Sequence, residues 1–336
     1  MLLRSIINDS VKAVSVAYPE GEAKEMVFAL LEHLAGTKRH THIVEPSYSL
    51  DDETAAAVEA AVARLASGEP LQYVIGKACF YGRDFNVSPS VLIPRPETEI
   101  LCRTAIDAFL CDGGIKGTQV PSRERCTSIE AGLTDSQSPK VASRILDLCT
   151  GSGCIAWTMA LEKPGSEVFA VDISDAALAV ATSQDFADEL SKTGAMAPKF
   201  FKADVLADIP ADLSEVLCTD SSGILPEGDS SARCFDIILS NPPYVMDKEK
   251  ALMRTNVLDH EPHLALFVSD DDPLIFYRAV ARWAASLLSD KGFGLVEINE
   301  ALGEETAQVY LDAGFGYARV LQDFSGRDRF VLFRRK

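Results

Sequence analysis

Asn241-Pro242-Pro243-Tyr244 follows directly on the apolar run Phe235-Asp236-Ile237-Ile238-Leu239-Ser240 and is the sharpest chemical signal in the chain. The two prolines freeze the backbone and, lacking N–H groups, leave their carbonyls free of competing neighbouring donors. Asn241 adds a side-chain oxygen and Tyr244 a flat aromatic face. Such a set can accept both hydrogens of a planar NH2 group. A planar amide nitrogen is a poor nucleophile because its lone pair is delocalised, and holding its hydrogens while a sulfonium methyl donor approaches encourages that lone pair to localise. Alignment of two oriented reactants supplies several kcal/mol. The surplus proton leaves late, so no strong base is needed beforehand.

A second signal lies upstream. Ile145-Leu146-Asp147-Leu148-Cys149-Thr150-Gly151-Ser152-Gly153-Cys154 sets an apolar strand, a glycine turn and a helix start in succession. Glycines let the backbone approach a ligand closely, and a helix N-terminus offers free N–H groups. The next strand, Val168-Phe169-Ala170-Val171-Asp172, ends about twenty residues on in an acid that can accept both ribose hydroxyls. Lys202-Ala203-Asp204-Val205 adds an acid for an adenine edge and an apolar neighbour for its face. These features alone fit a dinucleotide or S-adenosylmethionine, since Ala156 is tolerated at the last position of the dinucleotide glycine pattern. The choice between them rests on residues 241–244.

Positioning these groups requires a particular scaffold. Strand patterning covers residues 144–149, 167–172, 199–204, 235–240, 293–298, 317–322 and 329–333, with helices from 154 and over 175–190, 273–288 and 303–313. This alternation predicts an α/β fold: a doubly wound, mostly parallel seven-stranded sheet, its last two strands forming an antiparallel edge hairpin. Residues 1–75 are patterned as a small helical domain, with helices over 22–35 and 51–66, Asp51 or Asp52 as N-cap, and Gly36 and Gly68 as stops. Its expected role is holding a protein substrate. Residues 76–96 read as a hairpin connector turning at Gly82-Arg83-Asp84, and 97–336 as the catalytic domain, beginning with a helix started near Glu97 or Thr98. Segments 112–140 and 214–233, rich in Gly, Ser, Thr and charge, read as surface insertions.

Hydrophobic residues at 47% and charged residues at 24% exclude wholesale disorder and fibrous repeats. No stretch approaches the roughly 18 apolar residues of a membrane span, and polar groups interrupt the first nine residues too early for a secretory signal. A cytoplasmic location is expected, with no membrane partner. Thirty-two basic against 50 acidic residues give a net charge of −18, which repels nucleic acid at long range and favours a basic protein partner. Eight cysteines contain no C-x-x-C pair, and the proline of His260-Glu261-Pro262-His263 breaks the helix that would align two ligands, so no metal is expected.

With these residues in place, the chain resembles the release factor glutamine methyltransferases, the HemK/PrmC family of class I, S-adenosylmethionine-dependent enzymes. The resemblance rests on Gly68-Glu69-Pro70-Leu71-Gln72-Tyr73, Phe80-Tyr81-Gly82, Leu92-Ile93-Pro94-Arg95-Pro96-Glu97-Thr98-Glu99, Asn241-Pro242-Pro243-Tyr244, and Glu261-Pro262 followed by Leu264-Ala265-Leu266. It implies a Rossmann-like methyltransferase sheet and methyl transfer to the glutamine amide nitrogen in the Gly-Gly-Gln loop of class I peptide-chain release factors. It further implies that Cys149, Thr150, Gly151, Ser152 and Gly153 surround the methionine part of S-adenosylmethionine, that Asp172 holds its ribose, and that Asp204 and Val205 flank its adenine. Asn241 and the Pro242 carbonyl, beside Pro243, would hold the target amide, with Tyr244 packed against it. Cys149 replaces the first glycine of the family's loop. A cysteine adopts positive φ only at a cost, so the expectation is an ordinary backbone there or a locally different loop. The competing readings are an adenine-directed DNA or RNA methyltransferase and a catalytically idle scaffold of the same fold.

Overall fold

The computed structural model describes residues 1–110, 143–218 and 234–335. The chain opens with helices α1 (Leu3–Val14), α2 (Glu20–Ala35), α3 (Thr41–Val44), α4 (Asp52–Ala66) and α5 (Leu71–Ile75). Asp51 caps α4 by accepting from the Thr54 amide at 2.8 Å, and Gly36 ends α2 at φ 61°, a left-handed stop that a side chain would strain. Apolar faces of α1, α2 and α4 enclose their own core around Leu3, Val14, Val27, Leu30, Val58 and Leu65. The hydroxyl of Tyr18 donates to the Gly68 carbonyl at 2.9 Å and ties this core to the segment that leaves it.

Strands β1 (Lys77–Phe80) and β2 (Arg83–Asn86) form an antiparallel hairpin. Its turn is Tyr81-Gly82, both at positive φ (52° and 75°), the geometry that matches strand twist in two-residue hairpins. The expected turn residues Arg83 and Asp84 lie in β2, because the turn forms one residue earlier.

Helix α6 (Pro96–Leu110) precedes β3 (Arg144–Leu148), α7 (Cys154–Glu162), β4 (Glu167–Asp172), α8 (Asp175–Thr182), α9 (Ala187–Thr193), β5 (Lys199–Lys202) and α10 (Ala211–Cys218). After β6 (Phe235–Ser240) come β7 (Val245–Met246), α11 (Thr255–His260), α12 (His263–Leu266), β8 (Phe267–Val268), α13 (Ile275–Leu287), β9 (Leu288–Glu297), α14 (Gly303–Asp312), β10 (Tyr317–Gln322) and β11 (Asp328–Arg334). The seven-stranded sheet has the order β10-β11-β9-β6-β3-β4-β5. Five neighbours run parallel from β5 to β9, and β11 pairs antiparallel with both β9 and β10. This is the expected doubly wound sheet with its antiparallel edge. Strand alternation sorts the two cores: Leu146, Leu148, Phe169 and Val171 face α10, α13 and α14, whereas Ile145, Val168 and Ala170 face α6, α7 and the hairpin.

Several boundaries differ from expectation; β9, for one, begins at Leu288 rather than 293, directly at the end of α13. The helix expected over 175–190 is two, α8 and α9, because residues 183–186 leave the helix to make tertiary contacts. There the Gln184 side chain accepts from the Asn86 amide at 2.7 Å and donates to the Ser152 carbonyl at 3.1 Å, and Phe186 packs on Phe85 and Trp157. Strand β5 stops at Lys202, leaving Asp204 in the following turn. The expected insertion at 112–140 lies outside the described residues, as does 219–233, while Ser214 to Cys218 complete α10 rather than starting a loop.

Candidate active site

Sheet register brings the site together. Leu148 on β3 pairs with Val171 on β4 and with Ser240 on β6, and Ser240 pairs with Val296 on β9. The next residues along these strands are Cys149, Asp172, Asn241 and Glu297, which therefore stand level at the carboxyl edge. Strand order reverses between β3 and β6, the place where open parallel sheets leave a ligand crevice. A cavity of about 320 Å³ opens there.

Nine of the expected residues line it: Cys149, Thr150, Gly151, Ser152, Asp172, Asp204, Val205, Asn241 and Pro243. Gly153, Pro242 and Tyr244 do not. Gly153, at φ 79°, is the N-cap of α7, and a Cβ there would stand 3.0 Å from the Ala181 Cβ and 3.2 Å from Trp157 Cδ1. Its lack of a side chain serves the packing of the turn on α8. Pro242 is buried beneath the tip of β6. Tyr244, expected as the face against the target group, lies off the cavity wall with its hydroxyl donating to Glu297 Oε1 at 2.9 Å. Burial and the adjacent Glu297 charge push that hydroxyl well above its ordinary pKa.

The glycine turn keeps its left-handed start. Cys149 has φ 62°, one of two non-glycine residues at positive φ among the described residues, so neither local alternative expected from the sequence is adopted. The Thr150 amide donates to the Val171 carbonyl at 3.0 Å and the Gly153 amide to the Thr150 carbonyl at 2.9 Å, which together hold the turn against strain at Cys149. Burial, with Asp172 and Asp147 nearby, raises the Cys149 thiol, so it is un-ionised at neutral pH. Beneath the turn, Asp147 is fully buried and accepts from Thr150 Oγ1 at 2.5 Å; burial pushes its carboxyl up to about 7.

Asp172 accepts the Gly151 amide on Oδ2 and the Ser174 amide on Oδ1, each at 2.9 Å. One carboxylate thus fixes both the glycine turn and the start of the next helix, and its oxygens keep further acceptor capacity. Burial raises its pKa against the pull of those N–H groups. Asp204 accepts the Leu206 amide at 2.8 Å, and Arg282 of α13 donates to the carbonyls of Val205, Leu206 and Ala207 at 3.2, 2.9 and 3.0 Å. The cavity wall at Asp204 and Val205 is therefore clamped from another helix.

Several residues that sequence reasoning gave no role at the site take part in it. Thr98, in the first turn of α6, lines the cavity, accepts from Asn241 Nδ2 at 3.1 Å and donates to Glu297 Oε2 at 2.8 Å. Glu297 is 1% exposed. Burial raises its pKa, while the Thr98 and Tyr244 hydroxyls and the Arg329 charge oppose that rise. Its signal in the sequence was a lone acid ending an apolar strand. Glu261 is buried, accepts the Ile93 amide at 3.2 Å and pairs with Arg95 at 2.6 Å, so the two motifs around 92–99 and 261–266 are halves of one clamp beside the cavity. The helix does break at Glu261-Pro262, between α11 and α12, and His263 Nε2 lies 2.8 Å from the Leu258 carbonyl.

Comparison with known proteins follows the same lines. Residues 10–76 match the family model described as the PrmC N-terminal domain. The release factor glutamine methyltransferase of Flavobacterium psychrophilum is 33% identical over 331 residues, 98% of each chain. That of Bacteroides thetaiotaomicron is 37% identical over 83% of this chain and 80% of its own, and that of Cereibacter sphaeroides 35% over 87% and 83%. Likeness of this extent means that the chain belongs to the release factor glutamine methyltransferase family.

Proposed function

We propose that this protein transfers a methyl group from S-adenosyl-L-methionine to the side-chain amide nitrogen of the glutamine in the Gly-Gly-Gln loop of class I peptide-chain release factors. The observation that carries this reading is the level placement of Asn241 and Asp172 at the switch point of the sheet, on the walls of one cavity. The cavity suits the cofactor: its volume is in the range of small-molecule sites, Asp172 keeps acceptor capacity for two ribose hydroxyls, and Asp204 with Val205 forms a polar and an apolar edge for adenine. When bound, S-adenosylmethionine supplies an electrophilic methyl group on a sulfonium.

The chain's own residues then bind and orient. Thr150, Gly151 and Ser152 form the wall beside the methionine part. Asn241 Oδ1 and the Pro242 carbonyl, the latter from a residue outside the cavity lining, accept the two hydrogens of the target amide, and the proline pair fixes the backbone that carries them. The nitrogen is thereby held in one direction while its lone pair localises, and its proton leaves after bond formation, so no basic side chain is required at the start. Residues 1–75 hold the release factor, 76–96 connect, and 97–336 carry out transfer. The acidic surface disfavours nucleic acid, and the work is done in the cytoplasm, where release factors act.

Incubation with labelled S-adenosylmethionine and a release factor, followed by intact-mass and peptide mapping, is expected to show one added methyl on the loop glutamine. Asn241→Ala is expected to lower turnover by about 100-fold or more with cofactor affinity largely kept, as for loss of one oriented transition-state partner. Asp172→Ala should do the reverse and weaken cofactor binding in calorimetry. Label in DNA or RNA and none in the release factor would overturn the reading.

A further inference from the structure

We infer that Thr98 and Glu297 act as positioning residues that select a carboxamide over a carboxylate, by dictating which end of the Asn241 amide faces the cavity. The inference rests on the proposed glutamine chemistry and adds residues that the tetrapeptide does not contain.

A threonine hydroxyl has one hydrogen to give. In this protein Thr98 gives it to Glu297 Oε2 at 2.8 Å, and the other carboxylate oxygen is taken by the Tyr244 hydroxyl at 2.9 Å. Burial raises the pKa of Glu297, and the two hydroxyl donors and the neighbouring Arg329 charge oppose that rise; as the carboxylate those donors pair with, it can only accept. With its hydrogen committed, the Thr98 oxygen can only accept from Asn241, and Asn241 Nδ2 stands 3.1 Å away as the donor. Turning the Asn241 amide over would set Oδ1 against an oxygen with no hydrogen to offer.

Asn241 therefore presents Oδ1, an acceptor, toward the cavity that it lines. An acceptor there takes an N–H of a carboxamide and repels the oxygen of a carboxylate. The same orientation turns the target's nitrogen, rather than its carbonyl oxygen, toward Asn241. The three groups of the relay come from α6, the tip of β6 and the tip of β9, so the selection is set by tertiary packing alone.

The test compares binding of a release factor with that of the same release factor carrying glutamate in place of the loop glutamine, together with kcat and cofactor affinity. The unaltered protein is expected to prefer the glutamine form by at least about tenfold, as a site built to pair a substrate N–H rejects the analogue lacking it. Thr98→Val, nearly isosteric, frees the Asn241 amide to rotate. It is expected to bring that preference to within about threefold of unity and to lower kcat by roughly 10–100-fold, with cofactor affinity kept. Thr98→Ser keeps the hydroxyl and should restore both. Glu297→Gln offers Thr98 a donor, frees its hydrogen for Asn241, and provides an independent route to the same loss should Thr98→Val fold poorly. Methylation by the unaltered protein with the glutamine preference unmoved in both variants overturns the inference alone. No methylation of the release factor by the unaltered protein removes the functional reading and the inference with it.

Discussion

At Cys149 an L-residue occupies a left-handed backbone position, at φ 62°, that costs roughly 1–2 kcal/mol relative to glycine. The rest of the turn pays no such cost, because Gly151 and Gly153 take the other two positive φ angles. Cys149→Gly should therefore leave cofactor affinity within a few-fold of the parent, whereas Cys149→Val, branched at Cβ, should lower stability by about 1–3 kcal/mol and weaken binding. Thermal unfolding and calorimetry on the pair check this. Asp147, beneath the same turn, has its carboxyl raised to about 7 in the folded protein, far above that of an unfolded chain. The folded state thus binds that proton more tightly, so the stability it contributes is complete below the unfolded pKa and is lost as pH rises through 7. The loss amounts to at most about 4 kcal/mol. Asp147→Asn carries no charge to desolvate and should gain in melting temperature over the parent at pH 8 compared with pH 5. Parallel pH curves for the two proteins would contradict the assignment.

Among the elements, β9 carries the most constraint. Gly294 pairs with Phe333 of β11, whose ring covers it so closely that a Cβ would fall 2.0 Å from Cζ. The ring cannot easily yield, since it stacks on Tyr310 at 4.0 Å and lies edge-on to Phe315. Gly294→Ala should accordingly cost about 3 kcal/mol or more in denaturant unfolding, with part of the loss recovered when Phe333→Leu is added. Because the same strand ends in Glu297, a shift of its register would also move the carboxylate that holds Thr98 and Tyr244. Element type was legible throughout the sheet, since strand alternation and the glycine turn are local signals. Boundaries were less so: Gln184 and Phe186 read as helical residues, and only their partners Asn86, Ser152 and Trp157, from distant segments, pull them out of a helix.

At the scale of the whole molecule, a net charge of −18 spreads an attractive field toward basic protein surfaces. If a release factor approaches through that field, its KM should rise as salt goes from about 0.05 to 0.3 M, while cofactor affinity, set inside a cavity, changes little. A flat KM across that range would show that contact chemistry alone governs docking. Among the described residues no helix is long and apolar enough to cross a membrane. The N-terminal helices keep a core of their own, and this unit meets the rest where Glu22 pairs with Arg254 and where the buried Tyr73 of α5 donates to the Val91 carbonyl at 2.6 Å.

Taken alone, the order of residues determined the doubly wound sheet, the glycine turn, the acids at the end of β4 and in the turn after β5, and the Asn-Pro-Pro-Tyr tip, because each is encoded in neighbours a few positions apart. Tertiary structure alone decided that Thr98 and Glu297, 199 positions apart, share a hydrogen bond; that Glu261 clamps Arg95; and that Tyr244 turns from the cavity toward a buried carboxylate. Those contacts follow from which strands lie side by side and in what register, a property of the packed sheet that no local pattern carries.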